Sequence, residues 1–213
     1  LASIFFSAIS SALSHHKKRS VEWSLVTPLS MGMILGAFIG ARYAATLTNE
    51  NLKWIITIFL IVIGIEMIFN FTKFLAKKDK KLIDLSKSIT PIHGSWIGFL
   101  SSIIGIGGGS FTTPLMIAGG YNIRTGIGTA AACGLPIALA GAIGYMYFGK
   151  STEAILPPGA FGYVFWPAVI SISFASLLTA RIGANISHSI SEKNLKISFG
   201  MFLILVGILV IVN

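Results

Sequence analysis

Apolar residues along this chain gather in long runs rather than in the half-buried stripes of a soluble protein. A membrane-crossing helix needs about 20 mostly apolar residues, and several runs approach that length. The first, Leu1 to Leu13, is short. The second covers roughly Leu25 to Ala45. The third covers Trp54 to Phe71 and gives way to a charged stretch, Lys73 to Lys87. Ile92 to Ala118 is apolar but interrupted. A fifth run extends from Ile127 to Phe148, with Pro136 as an expected kink. A sixth covers Phe161 to roughly Ala180, and the last covers Ile197 to Val212. Trp23, Trp54, Trp96 and Trp166 fall near run ends, where interfacial rings are favoured. The pattern predicts an all-α polytopic transmembrane bundle.

Composition strengthens that expectation. Only 11% of the 213 residues are charged and 54% are apolar, against about 25% charged in soluble chains. Mean hydropathy is +0.83. The net charge of +9 would suit a nucleic-acid binder in another setting. Here the basic residues cluster between apolar runs, as in Lys17-Lys18-Arg19 and Lys73 to Lys87, which is how cytoplasmic loops of membrane proteins are marked. No aromatic and basic residues interleave, so no nucleic-acid partner is expected. Cys133 is the single cysteine, which excludes an internal disulfide. His15 and His16 are neighbours, about 100° apart on a helix, and His93 and His188 stand alone. No metal site, cofactor or hydrolytic motif is expected. The chain opens at Leu1 inside an apolar stretch without an initiator Met, so a preceding segment of the parent protein is expected.

The chain also repeats itself. Gly40-Ala41 is followed by Asn51-Leu52-Lys53, and Gly183-Ala184 is followed at the same spacing by Asn194-Leu195-Lys196, an offset of 143 residues from Gly40 to Gly183. At that offset Phe59-Leu60-Ile61 matches Phe202-Leu203-Ile204. Gly64-Ile65 matches Gly207-Ile208, and Asn70 matches Asn213. Duplicated halves are a frequent plan in secondary transporters. The expected organisation is residues 1–72 as the remainder of a first half with three transmembrane segments, 73–90 as a basic cytoplasmic linker, and 91–213 as the second half. Two topologies are open. If Ile92 to Ala118 crosses once, the halves are parallel and the inside loops hold 10 of the 16 Lys and Arg residues. If it re-enters as a hairpin, the second half inverts and the inside loops hold 13 of 16. Charge favours inversion.

The interrupted segment is the most informative. Gly105-Ile-Gly-Gly-Gly-Ser110-Phe-Thr-Thr-Pro114 places four glycines in five positions, which disfavours continuous helix. Irregular backbone at membrane depth is tolerated only inside protein or beside a water-filled cavity. Bare N–H groups at such a break, and at the helix start after it, suit an anion. Glycine there permits positive φ and lets an ion approach the backbone. Thr113 and Pro114 read as N-cap and N1 of a short helix. The alternative is a kink that lets neighbouring helices pack closely.

Gly105-Ile-Gly-Gly-Gly-Ser-Phe-Thr-Thr-Pro114-Leu, followed by Gly128-Thr129-Ala130, resembles the second-half signature of the TauE/SafE sulfite exporter family. Ser10-Ser11-Ala12-Leu13-Ser14-His15-His16-Lys17 is similar to the segment after the family's first Gly-Thr-Ser motif. The resemblance covers essentially the whole chain and implies another glycine-rich segment before Leu1. It departs at Ala130, where the family often has Ser. It implies a multi-pass transporter in a bacterial plasma membrane that exports sulfite, a sulfonate or a related organic or sulfur anion. The substrate-binding candidates are Gly105, Gly107, Gly108, Gly109, Ser110, Thr112, Thr113, Gly128 and Thr129. The expected partners are the small anion and the lipid bilayer.

Glu66 lies inside the third run and is a candidate for proton coupling, since an ionisable group there is a functional hypothesis by default. The other reading is a carboxylate reaching water or Lys73. Arg42 and Arg181 end apolar runs and are expected to snorkel to headgroups, and Arg124 precedes Gly126 and Gly128 in a short loop. The reading is alternating access by a small-anion exporter, with an importer or channel as the alternative within transport. From another class, a membrane enzyme or assembly subunit is the alternative. An enzyme would gather polar catalytic residues at one membrane face, and none gather here.

Overall fold

The computed structural model describes residues 1–69, 83, 85–86, 88–151, 156–189 and 191–212. Among these, eight helices form the protein: α1 (Ala2–Lys17), α2 (Trp23–Thr46), α3 (Asn49–Phe69), α4 (Thr90–Ile104), α5 (Gly109–Ala118), α6 (Ile123–Phe148), α7 (Trp166–Ser189) and α8 (Glu192–Val212). By length and composition α2, α3 and the 124–148 part of α6 can each cross a membrane, and α7 and α8 contain shorter apolar stretches. The protein is an all-α polytopic membrane protein. Most of the basic linker expected at 73–90 lies outside the described residues, as does Asn70.

The repeat reappears as helix bounds. Moved by 143 residues, α2 lands on α7 and α3 lands on α8 at both ends. Two expectations need correction. Phe161 does not begin the sixth helix. It sits in a small antiparallel hairpin, Ala160–Phe161 with Val164–Phe165, because Gly159 and Gly162 take positive φ and turn the chain. Pro114 does not open the short helix. It lies within α5, which starts five residues earlier at Gly109.

The chain divides into two compact units: Leu1–Thr46 with Asp79–Ala175, and Leu47–Lys78 with Ser176–Asn213. The first is built on α2 against α4. Gly32, Gly36 and Gly40 recur every four residues on α2, and Gly94 and Gly98 face them from α4. A Cβ at Gly36 would stand 2.0 Å from the Ser95 carbonyl oxygen, and one at Gly98 would stand 2.2 Å from that of Met33. The two backbones touch with no side chain between them, as small residues allow in membranes. The opposite side of α2 presents Met31, Ile34, Leu35, Phe38 and Ile39, all exposed, at helical spacing suited to lipid.

Glycine contacts also fix direction. On α2, Gly32 meets Pro91 while Gly40 meets Phe99, so α4 runs parallel to α2. On α6, Gly128 meets Ser20 while Gly144 meets Ala41, so α6 is parallel as well. Gly108, before α5, meets Ile137, whereas Gly126 meets Thr113 and Met116, so α5 runs against α6. The chain therefore enters along α4, turns at the glycines and returns along α5. With about 1.5 Å of rise per residue, α4 reaches roughly 22 Å and α5 roughly 15 Å, each short of the ~30 Å hydrocarbon core. Ile137 stands near the middle of α6, and so does the turn beside it.

The second unit pairs α3 with α8. Gly64 meets Gly200, with a hypothetical Cβ 2.8 Å from the Gly200 oxygen. The buried Thr57 hydroxyl donates to the Gly207 carbonyl at 3.2 Å. The helices are antiparallel. The repeat offset turns one contact into the other, because Gly64 maps to Gly207 and Thr57 to Gly200. Repeat-related helices that run antiparallel around a local twofold are the mark of inverted repeats.

Two outcomes are expected. Gly36→Ala forces backbones apart and lowers thermal stability in detergent by about 1–3 kcal/mol, whereas Gly109→Ala, whose Cβ meets nothing within 4 Å, leaves the melting temperature unchanged. For topology, Lys18→Cys and Arg124→Cys react with an impermeant thiol reagent from the same side, and Lys150→Cys from the other. The native Cys133 is fully buried and silent. Labelling of Lys18→Cys and Arg124→Cys from opposite sides would restore the single crossing.

Candidate anion-binding cleft

The turn between α4 and α5 is built in two steps. Helix α4 ends on Gly105, which is left-handed at φ 79°. Its N–H and that of Ile106 return to the carbonyls of Ser102 and Ser101 at 3.2 and 3.0 Å, a glycine-dependent stop that pairs carbonyls at a helix end. Helix α5 then starts with Gly108 as N-cap, whose carbonyl accepts from Thr112 N–H at 2.9 Å. Between these two closures, the N–H groups of Gly107, Gly108, Gly109 and Ser110 find no acceptor among the described residues. Positive φ is needed only at Gly105, because Gly108 is right-handed at φ −58°. Space is tight at Gly108 instead: a Cβ there would meet Ile137 Cδ1 at 2.4 Å, so the end of that side chain would have to shift, while the position at Gly109 is open.

These four residues and Thr113 form one wall of a cleft of about 540 Å³. Ser7, Ala8 and Ser11 of α1 face them, and Ile127, Ala130 and Gly134 of α6 complete the lining. No lining side chain is charged. The field inside comes from backbone N–H groups and from the start of α5, worth roughly half an elementary positive charge. Such a wall suits an anion bound by donors rather than by an ion pair.

The structure therefore gathers Gly107, Gly108, Gly109, Ser110 and Thr113. The other candidates stand apart from the lining. Gly105 closes α4. Thr112 is fully buried, and its hydroxyl finds no partner among the described residues. A Cβ at Gly128 would stand 2.0 Å from the Ser20 oxygen, so this glycine serves close packing against the α1–α2 turn. Thr129 is fully buried, and its hydroxyl accepts the Glu22 N–H at 3.0 Å. Glu66 is half-buried on α3, in the other unit. Arg42 and Arg124 are exposed, and the Arg181 side chain lies outside the described residues. Ser7 and Ser11 were not among the sequence candidates. They lie one turn apart on α1, but that helix also carries Ser3, Ser10 and Ser14, so the sequence did not single them out.

A family model described as Sulfite exporter TauE/SafE matches residues 1–210. This chain belongs to the TauE/SafE family. It is 32% identical over 211 residues to a probable membrane transporter protein of Haemophilus influenzae, covering 97% of this chain and 76% of that one. It is 25% identical over 210 residues to the probable membrane transporter protein MJ0441 of Methanocaldococcus jannaschii, covering 96% and 74%. The probable membrane transporter protein YtnM of Bacillus subtilis is 25% identical over 207 residues, covering 95% and 65%. No solved structure matches the chain. Membership makes the protein a membrane transporter by family, and the glycine hairpin at its centre is the stretch that carried the resemblance.

Thr129→Val leaves the Glu22 N–H unpaired and lowers stability by about 1–2 kcal/mol. Because Thr129 does not line the cleft, anion affinity per folded molecule is expected to be unchanged in that variant, as measured by calorimetry.

Proposed function

We propose that this chain exports a small oxyanion, of the sulfite, sulfonate or related organic and sulfur-anion class, by alternating access across a bacterial plasma membrane. The observation that carries the reading is the run of four unpartnered backbone N–H groups on an uncharged cleft wall near the middle of α6. An anion that leaves water loses its hydration, and the loss is prohibitive unless hydrogen bonds replace it. A lysine or arginine would replace it too well and slow release. Backbone N–H groups carry partial charges, so binding stays reversible. Membership of a family described as sulfite exporters supports the anion class and the outward direction. The membrane potential favours outward anion movement by about 2.3 kcal/mol per charge per 100 mV. Glu66, an ionisable group within an apolar helix, is the proposed site of any proton coupling.

The test is flux in proteoliposomes with sulfite, a small sulfonate, acetate and phosphate at set membrane potentials. Saturable sulfite or sulfonate efflux that rises with potential is expected. Gly109→Val, whose side chain enters open space over the N–H groups, is expected to lower flux about tenfold to hundredfold through the loss of one charge-assisted contact. Ser110→Ala weakens apparent affinity more modestly. Gly108→Val is a poorer probe because it also strikes Ile137. Normal flux and affinity in Gly109→Val would remove the site, and flux that never saturates would mark a channel.

A further inference from the structure

Helix α4 stops at Gly105, and whatever holds its end also holds the turn that follows. The last carbonyls of a helix receive no N–H from within it. In α4 two of them are closed by the turn itself. The Ser101 carbonyl accepts the N–H groups of Gly105 and Ile106, each at 3.0 Å. The Ser102 carbonyl accepts Gly105 N–H at 3.2 Å. It also accepts the Tyr145 hydroxyl of α6 at 2.8 Å, across 43 residues of sequence. Ser102 is gripped from both sides. On α2, a Cβ at Gly40 would stand 3.1 Å from Ser102 Cβ. On α6, a Cβ at Gly141 would stand 3.5 Å from Ser102 Oγ, and Tyr145 follows one turn later. The α2 side supplies close approach, and the α6 side adds a directed hydrogen bond.

Tyr145 is itself braced. Its carbonyl accepts Tyr163 N–H at 3.2 Å, and the two rings meet edge to face at 6.5 Å and 80°. Tyr163 belongs to the small hairpin after α6, which sits backbone to backbone on the helix end. A Cβ at Gly149 would stand 2.3 Å from Tyr163 N, and one at Gly162 would stand 2.3 Å from the Met146 carbonyl oxygen. A ring fixed from behind has little rotamer freedom left to lose when its hydroxyl bonds. Tyr147, two residues on, is exposed instead.

We propose that Tyr145 is a positioning residue whose hydroxyl sets the end of α4 and, through it, the glycine turn that carries the candidate anion site. Gly107 follows Ser102 by five residues. Between Gly105 and Gly109 the chain belongs to no helix or strand. The N–H groups of Gly107, Gly108, Gly109 and Ser110 therefore aim where the two helix ends place them. Tyr145 does not line the cleft, so its effect on an anion passes through the turn. That effect rests on the anion reading of the cleft, whereas the hold on the turn does not.

The test compares variants of the purified protein in detergent. Tyr145→Phe keeps the ring and deletes the donor. Replacing Tyr145 with 4-aminophenylalanine keeps a donor at the same reach. Tyr147→Phe is the control on the same helix. Without anion, amide hydrogen exchange at Gly105 and Ile106 is expected to quicken about fivefold in Tyr145→Phe, the worth of one neutral hydrogen bond. It is expected to return to the wild-type rate in the amino variant. Sulfite affinity by calorimetry is expected to weaken about fivefold in Tyr145→Phe, to recover in the amino variant, and to stay unchanged in Tyr147→Phe. A lower melting temperature in Tyr145→Phe, with wild-type exchange at the turn and wild-type affinity, would make it a packing residue and overturn the proposal. Losses that the amino variant does not restore would overturn the role of the hydroxyl. Faster exchange with unchanged affinity would overturn the link from turn to anion. A wild type that binds no sulfite would overturn the cleft reading, and the exchange rates would then decide the hold on the turn by themselves.

Discussion

The larger unit depends on the absence of side chains between α2 and α4. Lipid offers helices no hydrophobic reason to associate, so cohesion must come from close contact. Gly32, Gly36 and Gly40 supply it against Pro91, Ser95 and Phe99, where a single Cβ would stand between 1.9 and 2.5 Å from a carbonyl oxygen. The contact matters most for α4, a helix too short to cross and therefore in need of lateral support. The full-length α2 holds it at a fixed depth, and the glycine turn inherits that depth.

Once the turn is fixed, the unpaired backbone becomes the problem that defines the site. Every backbone polar group at membrane depth must find a partner in protein or in water. Gly105 resolves one side by returning two N–H groups to α4 carbonyls. Gly108 resolves the other by starting α5. The four N–H groups between find no such closure among the described residues, and the residues that carry them line an open cleft. Close packing explains Gly128, which abuts Ser20, but leaves Gly109 unexplained, since nothing stands within 4 Å of its missing Cβ. Packing accounts for the glycines on α2 and gives no role to Gly109.

Much of this was legible in the sequence. Run lengths placed α2 within two residues at each end but the starts of α3, α6, α7 and α8 only within four or five, and the offset of 143 relates the bounds of α2 and α3 to those of α7 and α8 because duplication preserves punctuation as well as hydropathy. The re-entrant turn was legible as a choice between topologies that charge could tilt and contacts then decided. The side on which a residue falls was less legible. Thr112 and Thr113 are neighbours of the same chemistry, yet a helix rotates about 100° per residue, so one is buried behind α5 and the other lines the cleft. That assignment needs the phase of α5, and Pro114 set the expected phase wrongly. Proline is well tolerated in the first turn, but here glycines at 108 and 109 had already started the helix. The hydrogen bond of Thr129 was not legible either, because its partner, the Glu22 N–H, lies 107 residues away.

The pairing of α3 with α8 sets repeat-related positions against one another. The backbone contact has a local twofold, because Gly64 with Gly200 exchanges with Gly207 and Thr57 under the repeat. Its chemistry does not share that symmetry. Thr57 adds a hydroxyl bond to the Gly207 carbonyl, and its counterpart Gly200 cannot return one. The pairing is therefore symmetric in its backbone contacts and unequal in its side chains, which differ between the repeats at Glu66 and Leu209 as well.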